Sequence, residues 1–194
     1  MFINWKSREI NLKVVYYGPE LSGKTTNLQH IYLKMNPNLR SELVTLKTRG
    51  DRTLYFDFLQ VELEQVAGLK PRFNIYTVPG QVHYKSSRKL VLQGADGVVF
   101  VADSQWQRLE ANVAMVQNMD ENLDALGYNR PRVPLVLQCN KRDLPDITPL
   151  PLLQQQLGLH GAPCFPAVAA QGTGVFDTLK AIIGLVVTQA QQQL

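Results

Sequence analysis

The chain has 194 residues, of which 45% are hydrophobic and 19% are charged, and its formal net charge at pH 7 is +4. This composition is typical of a single globular domain, residues 1–194, that is large enough to bury a core. The basic residues are scattered along the sequence, which argues against a nucleic-acid partner. The two cysteines, Cys139 and Cys164, lack metal-ligand spacing and suggest a reducing compartment.

Neither end of the sequence carries a targeting or anchoring signal. The N-terminus lacks the apolar stretch of a signal peptide, and no apolar run approaches the roughly 18 residues of a membrane span. The C-terminus has neither a prenylatable cysteine nor a basic cluster. We therefore expect a cytoplasmic protein without a membrane anchor of its own, ending in a frayed tail, Gln189–Leu194.

Apolar strand patterns alternate with helical patterns along the chain. The predicted strands are Ile10–Tyr17, Thr53–Leu63, Arg72–Val78, Gly97–Asp103, Pro134–Cys139 and Cys164–Ala169. Helical periodicity covers Thr26–Met35, Leu109–Leu126 and Val175–Val187, and a short helix is expected after the loop Pro145–Pro151. This alternation predicts a doubly wound α/β fold with a mostly parallel six-stranded sheet, whose ligand lies at the carboxyl ends of the strands.

One pair of strands interrupts the alternation. Only residues 64–71, with a turn signal at Gly68, separate Thr53–Leu63 from Arg72–Val78. That connection is too short for a helix, so the two strands are expected to form an antiparallel hairpin. We predict that Thr53–Leu63 is the antiparallel strand at the edge of the sheet.

The segment that follows the first strand reads Gly-Pro-Glu-Leu-Ser-Gly-Lys-Thr, the G-x-x-x-x-G-K-T pattern of a phosphate-binding P-loop. Backbone N–H groups and the helix N-terminus would hold the phosphates. Lys24 would add positive charge there, which makes it a candidate catalytic residue, and the Thr25 hydroxyl would ligate Mg²⁺. The predicted nucleotide-binding residues of this loop are Gly18, Pro19, Glu20, Leu21, Ser22, Gly23, Lys24, Thr25 and Thr26.

A second motif, Asn140-Lys141-Arg142-Asp143, follows directly on a predicted strand. A carboxylate that faces the N1–H and 2-amino groups of guanine is satisfied, whereas adenine offers no such pair of donors. Asp143 therefore favours guanine, because an unpaired carboxylate is costly. Asn140, Lys141 and Asp143 are the predicted base-binding residues. Together with the P-loop, this N-K-x-D motif resembles the Ras-like small GTPases.

A third motif, Thr77-Val-Pro-Gly80-Gln81, resembles the D-x-x-G-Q element of the same superfamily. The Gly80 N–H would meet the γ-phosphate, and Gln81 would orient the attacking water. The sequence departs from the common pattern at Thr77, because the superfamily places an aspartate linked to Mg²⁺ there.

This departure belongs to a narrower resemblance. The runs Thr53–Phe58 and Val101–Ser104, together with Thr77 and Tyr84, are similar to the MglA family of bacterial Ras-like GTPases. The resemblance implies that Thr53 meets Mg²⁺ and the γ-phosphate, and that Arg52 is an arginine finger acting in cis. It also implies that the N–H of Ala169 is aimed at the guanine carbonyl.

Asp57 is a further candidate ligand of the metal. On a strand, Thr53, Tyr55 and Asp57 share one face. Asp57 is therefore placed to make, through water, the Mg²⁺ contact that Thr77 does not make. The alternative is an ordinary charge on an edge strand.

The resemblance implies a GTP/GDP switch with slow, Mg²⁺-dependent GTP hydrolysis. The activating partner would be a Roadblock/LC7-type MglB homodimer that orders Arg52 and Gln81, and the process would be cell polarity and gliding motility, with motility or polarity effectors and recruitment to a cell pole. A sliding edge strand would carry Arg52 and Thr53 between inactive and active positions. The alternatives are a non-hydrolysing nucleotide-bound interaction module and an ATP-using P-loop enzyme.

Overall fold

The computed structural model describes residues 1–47, 55–63, 68–80, 85–128 and 132–193. The strands in these ranges are β1 Phe2–Asn4, β2 Glu9–Tyr17, β3 Val44–Lys47, β4 Tyr55–Glu62, β5 Lys70–Thr77, β6 Gly97–Asp103, β7 Leu135–Asn140 and β8 Cys164–Pro166. The α-helices are α1 Lys24–Lys34, α2 Lys85–Leu92, α3 Leu109–Asp124, α4 Leu150–Leu157 and α5 Val175–Gln191. All six predicted strands are present, and β6 matches its predicted bounds. Thr53 and Leu54, where β4 was predicted to begin, lie outside the described residues.

The strands form one sheet in the order β3-β4-β5-β2-β6-β7-β8, and β1 pairs with β2 in antiparallel orientation. The pairs β2–β5, β2–β6, β6–β7 and β7–β8 are parallel, whereas β4 is antiparallel to both β3 and β5. The predicted doubly wound α/β fold is confirmed.

The predicted position of β4 at the sheet edge is wrong, and the sheet formed by the described residues has eight strands rather than six. The short strand β3 pairs with β4 from Val44↔Phe58 to Lys47↔Tyr55 and takes the edge. Its four residues, Val-Thr-Leu-Lys, are too few to show an alternating pattern in the sequence, and their partner is a strand further along the chain. The edge strand β3 therefore leaves no signal in the sequence.

Helices cover both faces of the sheet, because buried strands direct alternate side chains to opposite sides. Leu12, Val14 and Tyr16 of β2 lie in one core cluster with residues of α1 and α5. Val15 and Tyr17 lie in the other cluster with residues of α2, α3 and α4. Every residue of β6 is buried, as expected for a central parallel strand.

Helix α5 continues three residues into the segment that was predicted to fray, and its last core contact explains why. Ala190 is buried in the same cluster as Ile182 and Val186, so the apolar stripe extends almost to Gln191. Helix α2 was not predicted at all. Its sequence, Lys-Ser-Ser-Arg-Lys-Leu-Val-Leu, contains apolar residues only in its second half.

Candidate nucleotide-binding site

The P-loop lies between the end of β2 and the start of α1, and two glycines make its path possible. Gly18 has φ +142°, and a Cβ there would lie 2.2 Å from the carbonyl oxygen of Val101. Gly23 has φ +102°, and a Cβ there would lie 2.2 Å from the Nδ2 atom of Asn140. Both positions therefore exclude a side chain. The loop packs against the ends of β6 and β7, where the ligand of a doubly wound sheet is expected.

Lys24 lies beneath this loop and is 7% exposed. Its ammonium donates hydrogen bonds to the carbonyl oxygens of Gly18, at 2.9 Å, and Pro19, at 2.6 Å. Burial lowers the pKa of Lys24 to about 7, and the carboxylate of Asp57 opposes part of that shift. A phosphate chain in the loop would supply the counter-charge that this ammonium requires.

Asp57 is the centre of a hydroxyl cluster beside the P-loop, and it is 4% exposed. Its Oδ2 atom accepts hydrogen bonds from the hydroxyls of Thr25, at 2.5 Å, and Thr77, at 2.9 Å. Its Oδ1 atom accepts one from the Thr45 hydroxyl at 2.8 Å. The structure thus brings together Thr25, Asp57 and Thr77, the residue that replaces the aspartate of the superfamily motif. It also adds Thr45, which the sequence did not indicate.

Gly80 brings the segment after β5 against the P-loop. A Cβ on Gly80 would lie 2.3 Å from the backbone nitrogen of Glu20, so only glycine permits this approach. Three predicted site residues, Arg52, Thr53 and Gln81, lie outside the described residues.

Asn140 ties the base-binding motif to two other loops. Its side chain is 3% exposed, and its Nδ2 atom donates to the carbonyl oxygen of Ser22 at 2.7 Å. Its Oδ1 atom accepts from the N–H of Ala169 at 2.8 Å. The predicted P-loop, N-K-x-D motif and Ala169 loop therefore meet at one side chain. Asp143 is exposed at the surface of this junction.

Two buried or half-buried arginines brace the site, and sequence reasoning missed both. Arg108 donates from Nη2 to the carbonyl oxygen of Glu20 at 3.0 Å. Arg88, 3% exposed, donates from Nε to the Oδ1 atom of Asn118 at 2.7 Å and from Nη1 to the carbonyl oxygen of Pro79 at 3.3 Å. An arginine in a helical segment is usually exposed to solvent, so the sequence did not predict these contacts.

The sequence profile of the ADP-ribosylation factor family matches residues 1–186. ADP-ribosylation factor-like protein 6 of Caenorhabditis elegans is 26% identical over 188 residues, which cover 96% of this chain and 85% of that protein. The chain belongs to the ADP-ribosylation factor family of small GTPases, and the family agrees with the fold and with the meeting of the P-loop and the N-K-x-D motif. This membership supports GTPase activity and decides against the ATP-using alternative.

The similarity is stronger to one bacterial relative. The "Mutual gliding-motility protein MglA" of Myxococcus xanthus is 52% identical over 191 residues, which cover 98% of both chains. The predicted resemblance to the MglA family is therefore confirmed. Within the described residues, no helix has both the length and the apolar character needed to cross a membrane.

Proposed function

We propose that this chain is a GTP/GDP switch that regulates cell polarity and motility in the cytoplasm, with recruitment to a cell pole. The nucleotide assignment rests on two hydrogen bonds of Asn140, because its buried amide joins the P-loop to the N-K-x-D motif and to Ala169. The motility role rests on the gliding-motility relative that is 52% identical.

The phosphates would lie against the P-loop amides and the ammonium of Lys24. The residues present fit Mg²⁺, since the Thr25 hydroxyl is an oxygen ligand and it donates a hydrogen bond to the Asp57 carboxylate, which would contact the ion through water. Mg²⁺ prefers such oxygens and is usually held by one or two carboxylates together with substrate phosphates. The ion would neutralise charge on the β- and γ-phosphates. Thr53 would be a further ligand.

For hydrolysis, Gln81 would position water and Arg52 would offset the charge that develops on the phosphoryl oxygens. Turnover is slow until a partner orders both side chains. We propose a Roadblock-type MglB homodimer as that partner, because the resemblance to the MglA family implies it.

The fold changes the predicted route of switching. Strand β4 is paired on both sides, with β3 and with β5, so sliding of β4 alone would break the pairing on both sides. We propose that the pair β3–β4 moves together along β5, and it would carry Arg52 and Thr53 with it because only Leu54 separates them in sequence from the start of β4 at Tyr55. We expect the pairing Phe58↔Tyr76 and Leu59↔Ile75 to change between the GDP and GTP states. Identical pairing in both states would contradict this route.

Single-turnover GTP hydrolysis tests the proposal. The purified protein is loaded with GTP and Mg²⁺, with and without a Roadblock-type protein from the same genome. We expect acceleration of at least tenfold, which corresponds to about 1.4 kcal/mol of barrier. Tight GTP binding without acceleration would overturn the proposed partner, and the absence of any hydrolysis would support the non-hydrolysing interaction module.

A further inference from the structure

Asp103, the last residue of β6, is a buried carboxylate that lies outside the three motifs. It accepts hydrogen bonds from several donors. It is 1% exposed, and its Oδ2 atom lies 2.7 Å from the ammonium of Lys141. Its Oδ1 atom accepts from the backbone N–H of Gln105 at 3.2 Å and from the side-chain amide of Gln105 at 3.1 Å. A charge buried this deeply is costly unless it is paired and hydrogen-bonded, so the Lys141 ammonium is its main compensation.

The backbone at Lys141 explains what this ion pair supports. Lys141 has φ +65°, in the left-handed region that residues with a side chain adopt at a cost of about 1 kcal/mol or more. Lys141 adopts this conformation while its ammonium contacts the Asp103 carboxylate. The left-handed residue turns the chain between Asn140, which is fixed in the interior, and Asp143, which is exposed and is predicted to read the base.

The backbone of Asp103 is itself immobilised, so the anchor is rigid. The N–H of Asp103 donates to the Oδ1 atom of Asn112 at 3.0 Å, and the Nδ2 atom of Asn112 donates to the carbonyl oxygen of Asp103 at 2.8 Å. Asn112 is fully buried in α3. On the other side, the Nε atom of Arg108 lies 3.9 Å from the Oδ2 atom of Asp103, and the same guanidinium reaches the P-loop at Glu20.

We propose that Asp103 is a positioning residue for guanine-nucleotide binding that acts through Lys141. It fixes the turn of the N-K-x-D loop and thereby the direction of Asp143. The expected consequence of its loss is faster release of the nucleotide. This inference rests on the proposed nucleotide site and names a contributor outside the motifs that define it.

A double-mutant cycle tests the pair. The dissociation rate of a fluorescent GDP, displaced by excess GDP, is measured for the wild type, Asp103→Asn, Lys141→Met and the double variant. We expect each single substitution to accelerate release about tenfold, or about 1.4 kcal/mol. The double variant should be no more than about threefold faster than the faster single variant, because both substitutions break one interaction.

Two further variants make the result decisive. Asp146→Asn removes an exposed carboxylate from the adjoining loop and should leave the rate unchanged. Lys141→Arg keeps a cation opposite Asp103 and should release GDP more slowly than Lys141→Met, which decides the question even if Asp103→Asn does not fold. Rates that multiply in the double variant, an unchanged rate in Asp103→Asn, or equally fast release from Lys141→Arg and Lys141→Met would overturn the inference. Failure of the wild type to bind GDP would instead overturn the proposed function.

Discussion

The side chain of Lys24 combines deep burial with a charge that depends on its surroundings. Burial lowers its pKa to about 7, so its ammonium form is favoured much less than that of an exposed lysine. Bound phosphates favour the ammonium form and would raise this pKa again. With phosphates bound beside Lys24 as we propose, binding would be linked to protonation of this lysine. Affinity should then be highest below the pKa of the free protein and should fall as the pH rises above it.

We expect the dissociation constant for GDP to increase by about tenfold between pH 7 and about pH 8.5. Fluorescent-GDP titrations across this interval measure the effect. Lys24→Arg is the control, because arginine stays protonated throughout and its affinity, although lower, should not depend on pH. Equal affinity of the wild type at both ends of the interval would contradict this linkage.

Asp57 supports a second prediction at the residue scale. Asp57→Ala removes the only carboxylate in the described hydroxyl cluster, so Mg²⁺-dependent GTP affinity and turnover should each fall by at least tenfold. Thr45→Val is the matched control, because it removes one hydrogen bond to Asp57 and leaves the carboxylate in place. Unchanged values in Asp57→Ala would show that Asp57 has no part in holding the metal.

At the scale of elements, one hydroxyl joins β4 to β5 in the part of the sheet nearest the site. The Thr77 hydroxyl accepts the N–H of Asp57 at 2.8 Å and donates to the Asp57 carboxylate at 2.9 Å. Thr77→Val keeps the volume but leaves the buried carboxylate and N–H each without one partner. We expect about 2 kcal/mol lower free energy of unfolding.

Urea unfolding at a fixed, saturating GDP concentration measures this change. Thr77→Ser retains the hydroxyl but lacks the methyl group. Its free energy of unfolding should fall by the contribution of that methyl group and by less than about 0.5 kcal/mol beyond it. If Thr77→Val and Thr77→Ser were equally stable, the hydrogen bonds between β4 and β5 would contribute little.

The elements that the sequence predicted correctly are those with a continuous apolar run or a periodic apolar stripe. Strand β6 is a continuous apolar run and matches its predicted bounds, and α5 shows a long apolar stripe. Strand β3 and helix α2 have no such pattern, and the order of strands at the edge depends on backbone pairing between distant segments. Propensity and periodicity do not report that pairing.

At the scale of the molecule, the motifs predicted which loops meet, but not what joins them. Glycine, lysine and asparagine at fixed spacings indicate the P-loop and the base-binding loop from the sequence alone. The joining contacts are hydrogen bonds such as Asn140 to Ser22 and Arg108 to Glu20, which span 118 and 88 residues of sequence. Nothing local in the sequence distinguishes these side chains from solvated ones.

Because these contacts link loops from both halves of the chain, nucleotide binding should stabilise the whole domain. At a GDP concentration about a thousandfold above the dissociation constant, linkage gives about 4 kcal/mol. For a domain of this size that corresponds to an increase in Tm of about 10 °C. ADP should give less than about 2 °C, because adenine does not offer Asp143 its pair of donors.

Asp143→Asn separates base reading from phosphate binding in the same thermal measurement. The asparagine amide donates where the carboxylate accepts, so it should lose most of the shift with GDP. It should regain a shift with xanthosine diphosphate, whose base has a carbonyl in place of the 2-amino group. Equal shifts with GDP and ADP in the wild type would contradict base reading by Asp143, even if both nucleotides bound tightly through the P-loop.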